Sequence, residues 1–175
     1  MRTHSTRARG RWATAAEPLT WPANFDISRA VYDKTATLVI PTVGITGIDI
    51  KTDGTKLYAI SSGSNEIYQY SLSKEWDIST VSSAERSFGF SSTCTGATGI
   101  RFSPDGSKFY LSKANSELSI RQYNCSTPWD IGTATASTFL GVIASVWNFC
   151  FKNDGKEVYL ACNSNPDAVY QLTFS

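Results

Sequence analysis

Short runs in which apolar and polar residues alternate fill much of the chain. Gly-Ile-Asp-Ile at 47–50, Lys-Leu-Tyr-Ala-Ile at 56–60 and Glu-Ile-Tyr-Gln-Tyr at 66–70 follow one another closely. A period of two places successive side chains on opposite faces of a strand, and no stretch carries apolar residues at helical spacing over three turns. The chain therefore reads as all-β with many turns. The pattern also recurs. Gly47–Ser73, Gly99–Ser126 and Asn148–Ser175 align as two strands joined at an Asp-Gly turn, then a polar loop, then a third strand. The turns are Asp53-Gly54, Asp105-Gly106 and Asp154-Gly155, where glycine supplies the positive φ that a tight hairpin needs. They read as hairpin tips, because the alternating carboxylates of a calcium loop are absent. After each turn a tyrosine stands in register (Tyr58, Tyr110, Tyr159), and packing between neighbouring sheets is the simplest role for it.

A second element separates these units. Phe25-Asp26-Ile27-Ser28, Trp76-Asp77-Ile78-Ser79 and Trp129-Asp130-Ile131-Gly132 each combine an aromatic and an isoleucine, which staple a corner, with an aspartate that caps backbone amides. A sugar-stacking role for the aromatics is the alternative. One more extended segment follows each corner: Arg29–Ile40, Thr80–Phe90 and Thr133–Val142. Four strands per repeat of roughly fifty residues are the blades of a β-propeller. The chain thus holds three blades, and its first extended segment is the outer strand that the last blade lacks. Propellers have about four to eight blades, so three do not readily close a ring. The expectation is a six-bladed homodimer in which Arg29–Ile40 of one subunit pairs with Val169–Phe174 of the other, the alternative being a piece of a longer propeller.

Charge divides the chain into two parts. The formal net charge is +1, yet Arg2, Arg7, Arg9 and Arg11 lie within the first eleven residues, so the remainder is mildly acidic. This suggests a basic N-terminal arm at 1–20 and a propeller domain at 21–175. The arm is either solvated or anchored on an acidic partner surface, and four arginines make nucleic acid an unlikely partner. Neither a secretory signal nor a transmembrane run is visible, so no membrane insertion is expected. Cys94, Cys125, Cys150 and Cys162 form no Cys-x-x-Cys pair and have no neighbouring histidine, which predicts buried free thiols and no metal site. The only histidine, His4, lies in the arm, so histidine-based catalytic constellations cannot form in the body. No phosphate-binding glycine loop is present and no cofactor is implied. With no pair of carboxylates obliged to converge, the expectation is that the protein is not an enzyme and has no catalytic residues.

Binding is the remaining class, and a propeller binds where its innermost strands meet around the axis. In register those positions read Thr46-Gly47-Ile48-Asp49, Thr98-Gly99-Ile100-Arg101 and Trp147-Asn148-Phe149-Cys150. Asp49, Arg101, Trp147 and Asn148 are the candidate ligand-binding residues. Either they fill and neutralise the channel, or Trp147, Asn148 and Arg101 hold a sugar ring or an acidic group by stacking and hydrogen bonding.

The motifs FSPDGSKFYLS (102–112), EIYQYSLS (66–73) and PWDIGTA (128–134) resemble β-propeller repeats of phage and prophage proteins and of the wider seven-bladed, lactonase-like group. That resemblance implies a non-enzymatic virion or tail-associated component that binds host surfaces, located in the phage particle or in the cytoplasm of the producing cell. Arg2, Arg7, Arg9 and Arg11 would then dock on other virion proteins. The alternatives are a carbohydrate-binding, lectin-like module recognising a cell-surface glycan and, third, a lactonase-like enzyme. The polar loops at 61–65, 113–117 and 162–167 diverge from one another, which weakens a lectin with repeated sites.

Overall fold

The computed structural model describes residues 32–39, 44–114, 118–141, 145–152, 154–163 and 168–174. Residues 34–175 form one compact unit, and residues 1–33 are a separate one. The described residues contain eleven strands: β1 (Ile45–Ile50), β2 (Lys56–Ser61), β3 (Glu66–Ser71), β4 (Arg86–Gly89), β5 (Ala97–Phe102), β6 (Lys108–Lys113), β7 (Leu118–Cys125), β8 (Ala134–Gly141), β9 (Ser145–Phe151), β10 (Glu157–Asn163) and β11 (Ala168–Thr173). They make three antiparallel sheets in the orders β1-β2-β3-β4, β5-β6-β7-β8 and β9-β10-β11. The all-β, propeller-like arrangement expected from the alternation is therefore present.

Local chemistry explains why the chain turns where it does. Gly54, Gly106 and Gly155 have φ of 75°, 72° and 70°. The preceding aspartates each accept a hydrogen bond from the amide two residues on, at 3.0 Å from Thr55, Ser107 and Lys156. At the corners, Asp77 and Asp130 cap single 3₁₀ turns at Ile78–Thr80 and Ile131–Thr133 by accepting from the amides of Ser79 and Gly132. The corner tryptophans adopt positive φ, 60° for Trp76 and 64° for Trp129, a region costly for a bulky residue. What holds them there is the hairpin. The Trp76 and Trp129 amides donate to the Gly54 and Gly106 carbonyls at 3.0 Å, and each indole lies directly on that glycine. Hairpin tip and corner are thus one unit.

The sheets pack face to face. Tyr58, Ile60 and Ile67 of the first sheet meet Ile100, Phe102, Phe109 and Tyr123 of the second. Ile120 and Tyr110, on the second sheet's other face, meet Phe149, Val158 and Leu160 of the third. Burying each such side chain contributes about 1.5–3 kcal/mol. Within the second sheet Phe109 stacks on Tyr123 at 4.7 Å and Phe102 on Trp129 at 5.0 Å, and across the first seam Tyr58 lies against Phe102 at 4.3 Å and Phe88 meets Tyr123 edge-on at 5.4 Å. The same seam is pinned by polar contacts, since the Tyr58 hydroxyl donates to the Trp129 carbonyl at 2.7 Å and buried Gln69 accepts from the Ile131 amide at 3.1 Å. The tyrosine role read from the repeat is borne out at Tyr58 and Tyr110.

Over its described residues 32–39, the extended segment Arg29–Ile40 pairs with no described strand of its own chain, the neighbour expected for it being in a second copy. A strand needs a hydrogen-bonded neighbour, and within the one chain Leu38 and Val39 lie on the first sheet: Leu38 packs against Leu57, Ala59, Tyr68 and Tyr70, and the Val39 carbonyl accepts from the Tyr70 hydroxyl at 3.3 Å. Cys150 is exposed rather than buried, because alternation along β9 turns it away from the side occupied by Phe149 and Phe151. Cys94, Cys125 and Cys162 are free and buried as expected, and burial pushes the Cys94 and Cys125 thiols up to about 11. The corner Phe25-Asp26-Ile27-Ser28 lies outside the described residues.

Candidate functional site

The first strands of the three sheets, β1, β5 and β9, run side by side, and their sequence lets them approach closely. A Cβ on Gly47 would stand 2.9 Å from the Thr98 carbonyl oxygen, so only glycine permits this spacing. The threonines in register stitch the strands together. Thr46 Oγ1 donates to the Ala97 carbonyl at 2.9 Å, and Thr98 Oγ1 donates to the Trp147 and Val146 carbonyls at 3.1 and 3.4 Å. These links were missed by reading the threonines only as channel lining, although their recurrence before Gly-Ile was a visible signal.

Asp49 and Arg101 come together across the seam between β1 and β5. One Asp49 oxygen, Oδ2, accepts from the Phe102 amide at 2.7 Å, while Oδ1 accepts from the Ile50 amide at 3.1 Å and lies 4.0 Å from Arg101 Nη1. The Arg101 Nη1 also donates to the Ile48 and Ile100 carbonyls at 3.1 and 2.9 Å. Burial raises the Asp49 pKa above the ordinary aspartate value, against the opposing pull of the Phe102 amide, Arg101 and the Ile50 amide. The result is a carboxylate held by backbone donors beside a guanidinium whose side chain is 43% exposed. Such a pair can take up a proton and can steady developing negative charge.

The other two candidates stand on β9. Asn148 is exposed, and its Oδ1 accepts from the Phe149 amide at 2.8 Å. Trp147 is 53% exposed and lines a cavity of about 600 Å³ with Ala161, Ala168 and Val169 on the outward face of the third sheet. The structure therefore joins Asp49 to Arg101 and assigns Trp147 to a different surface. Arg2, Arg7, Arg9 and Arg11 lie outside the described residues. Among the described residues no three His, Cys, Asp or Glu side chains gather as a metal ion would require, and no helix is long and apolar enough to cross a membrane.

No protein-family model and no curated protein matches the sequence. Solved structures do match its fold. A 6-phosphogluconolactonase candidate of Bacteroides fragilis is 16% identical, with a TM-score of 0.58, over 73% of this chain and 34% of its own. The corresponding candidate of Bacteroides uniformis is 16% identical with a TM-score of 0.58, over 85% and 43%. The periplasmic gluconolactonase of Pseudomonas aeruginosa is 14% identical with a TM-score of 0.55, over 73% and 35%. The chain spans less than half the length of each. These three neighbours correct the expectation of a non-enzymatic phage virion or tail component: each is named as a lactonase, which is an enzyme. The physical reason for the misreading is that the SPDG and WDIG motifs build the tip-and-corner unit of Gly106 and Trp129, which serves any propeller. The absence of a body histidine does not exclude hydrolysis either, since a carboxylate can serve as the base for an activated ester. At this identity the likeness is one of architecture.

Proposed function

We propose that this chain is a lactonase-like propeller, its three sheets being blades of a larger ring, and that it hydrolyses a polyhydroxylated lactone at the inner edge of the seam between β1 and β5. The observation that carries the reading is the Asp49–Arg101 pair, a carboxylate with a raised pKa beside a part-exposed guanidinium on the innermost strands of a fold shared with lactonases. In the step envisaged, Asp49 takes a proton from water as its oxygen adds to the lactone carbonyl carbon. Arg101 steadies the oxyanion. The ring C–O bond then breaks, and the departing oxygen regains the proton as an alcohol, leaving a hydroxy acid. Asn148, one strand further on, offers its side-chain amide to substrate hydroxyls. Because the base must be ionised, the rate should rise with pH through the Asp49 pKa and fall away below it.

Hydrolysis of gluconolactone and of its 6-phosphate, followed by pH-stat, tests the proposal. The full chain should accelerate one of them over buffer, and Asp49→Asn and Arg101→Ala should each lower the rate by about a hundredfold or more. No acceleration with either lactone, or an Asp49→Asn variant as active as the parent, would overturn it.

A further inference from the structure

The two internal seams describe a third that lacks its other half. Positions equivalent by register on the face that receives the next sheet are Ile67, Ile120 and Val169, whose exposures are 0%, 5% and 75%. On the face that meets the preceding sheet, the equivalents are Ile100, Phe149 and Ile48, with exposures of 1%, 3% and 52%. Val169 and Ile48 therefore stand open at opposite ends of the stack, each carrying the residue type that its counterparts bury. The cavity beside Trp147 and Val169 lies on the first of these open faces.

The segment before β1 sharpens the match. On β4, Phe88 pairs with Ile67 and packs edge-on against Tyr123 of the following sheet at 5.4 Å. On β8, Leu140 pairs with Ile120 and packs against the cluster that includes Leu172 of the following sheet. Leu38 takes the same place relative to the first sheet, against Tyr70, the equivalent of Tyr123 and Leu172. Residues 34–39 thus lie where the outer strand of a preceding sheet would run, while β11 is the outermost strand of a three-stranded sheet.

We infer that the open face of the third sheet is an interface for a second copy of this chain. The partner copy's segment 34–39 adds to β11 with its Leu38 opposite Val169, and the partner copy's Ile48 face covers Val169 and Ala161. The reciprocal contact forms at the other end, so two identical seams related by a twofold axis close a ring of six sheets, within the propeller range of about four to eight. Three copies would exceed that range. Polar contacts follow from the first seam, where Tyr58 and Gln69 hold the corner of the next sheet. Their equivalents Tyr159 and Gln171 now both turn to Glu157, at 2.7 and 3.2 Å, and in the dimer they would bond the Trp76 carbonyl and Ile78 amide of the partner copy. The inference rests on packing alone and stands apart from the lactone reading.

Light scattering and sedimentation of the full chain at micromolar concentration test it. The expected mass is twice 19.1 kDa. Val169→Lys, at an exposed position that should fold normally by circular dichroism, should weaken dimerisation at least thirtyfold, about the loss expected of a central interface residue. In a Cys150→Ser background, the pair Leu38→Cys and Val169→Cys should form a disulfide that joins two chains on a non-reducing gel. A monomeric parent, a Val169→Lys variant that dimerises as tightly as the parent, or a disulfide closing within one chain would each overturn the inference.

Discussion

Gly106 and Gly155 occupy the same hairpin position with almost the same φ, 72° and 70°, but only Gly106 lies beneath an indole. Replacing each by alanine separates backbone strain from the contact. An alanine held at positive φ costs about 1–2 kcal/mol, and the stiffer unfolded chain returns about 0.4–1 kcal/mol of that. Gly155→Ala meets nothing within 4 Å, so its net cost should stay at about 0.5–1 kcal/mol. In Gly106→Ala the new methyl overlaps the Trp129 ring, which must move. That weakens its stacking on Phe102, worth about 0.5–1.5 kcal/mol, and the Tyr58 hydrogen bond to its carbonyl, worth about 1 kcal/mol, and it gives up part of the indole's burial. The total should reach about 3–4 kcal/mol. Urea unfolding followed by far-ultraviolet circular dichroism reads the difference. With a slope of about 2 kcal/mol per molar, Gly106→Ala should lower the midpoint by more than about 1 M and Gly155→Ala by less than about 0.5 M, with slopes unchanged. Equal shifts in the two variants would refute the view that Trp129 and the Gly106 hairpin are one unit.

The seam chemistry makes two further predictions, besides those already attached to the lactone reaction and the dimer. Gln69→Leu removes the acceptor of the buried Ile131 amide and should destabilise by about 1–3 kcal/mol in the same urea assay, whereas a loss below about 0.5 kcal/mol would mean that the amide finds another partner. Hydrogen bonds from Ser103 and Ser107 hold the Asp105 carboxyl down at about 2, below its ordinary 3.8. A depressed carboxylate stabilises the fold above its unfolded pKa, so that stabilisation should be complete above about pH 5 and fade as pH falls through 3.8 toward 2. Asp105→Asn keeps the turn without the titration, and an acid-unfolding curve parallel to the parent's over that range would show that the group contributes nothing.

Much of the fold was legible because its signals are local. Alternation at 56–60 and 66–70 became β2 and β3, the Asp-Gly pairs became hairpin tips, and Asp77 and Asp130 became caps. Contacts between distant repeats were harder to read. Nothing adjacent to Gln69 announces that its carbonyl oxygen will hold an amide sixty-two positions away, and nothing near Trp129 announces that its ring will rest on Gly106. Register placed Asp49 and Arg101 in one row, but their pairing depends on the close approach at Gly47, which composition does not express. Cys150 was misjudged because the whole set of cysteines was treated alike, when strand phase decides each one separately. Function was least legible, since the most recognisable motifs serve the scaffold.

The corner at Trp129 belongs to two sheets at once: its ring rests on the hairpin of its own sheet, while its carbonyl and the Ile131 amide are held by Tyr58 and Gln69 of the sheet before. A blade defined by its sheet is therefore not the piece that can be copied or removed cleanly. Deleting one at its strand boundaries would leave a tyrosine and a glutamine facing no corner, and inserting one would require both halves of that contact to match. The portable segment is offset from the visible sheet, and length changes in such a chain should be tolerated only in steps that preserve the offset.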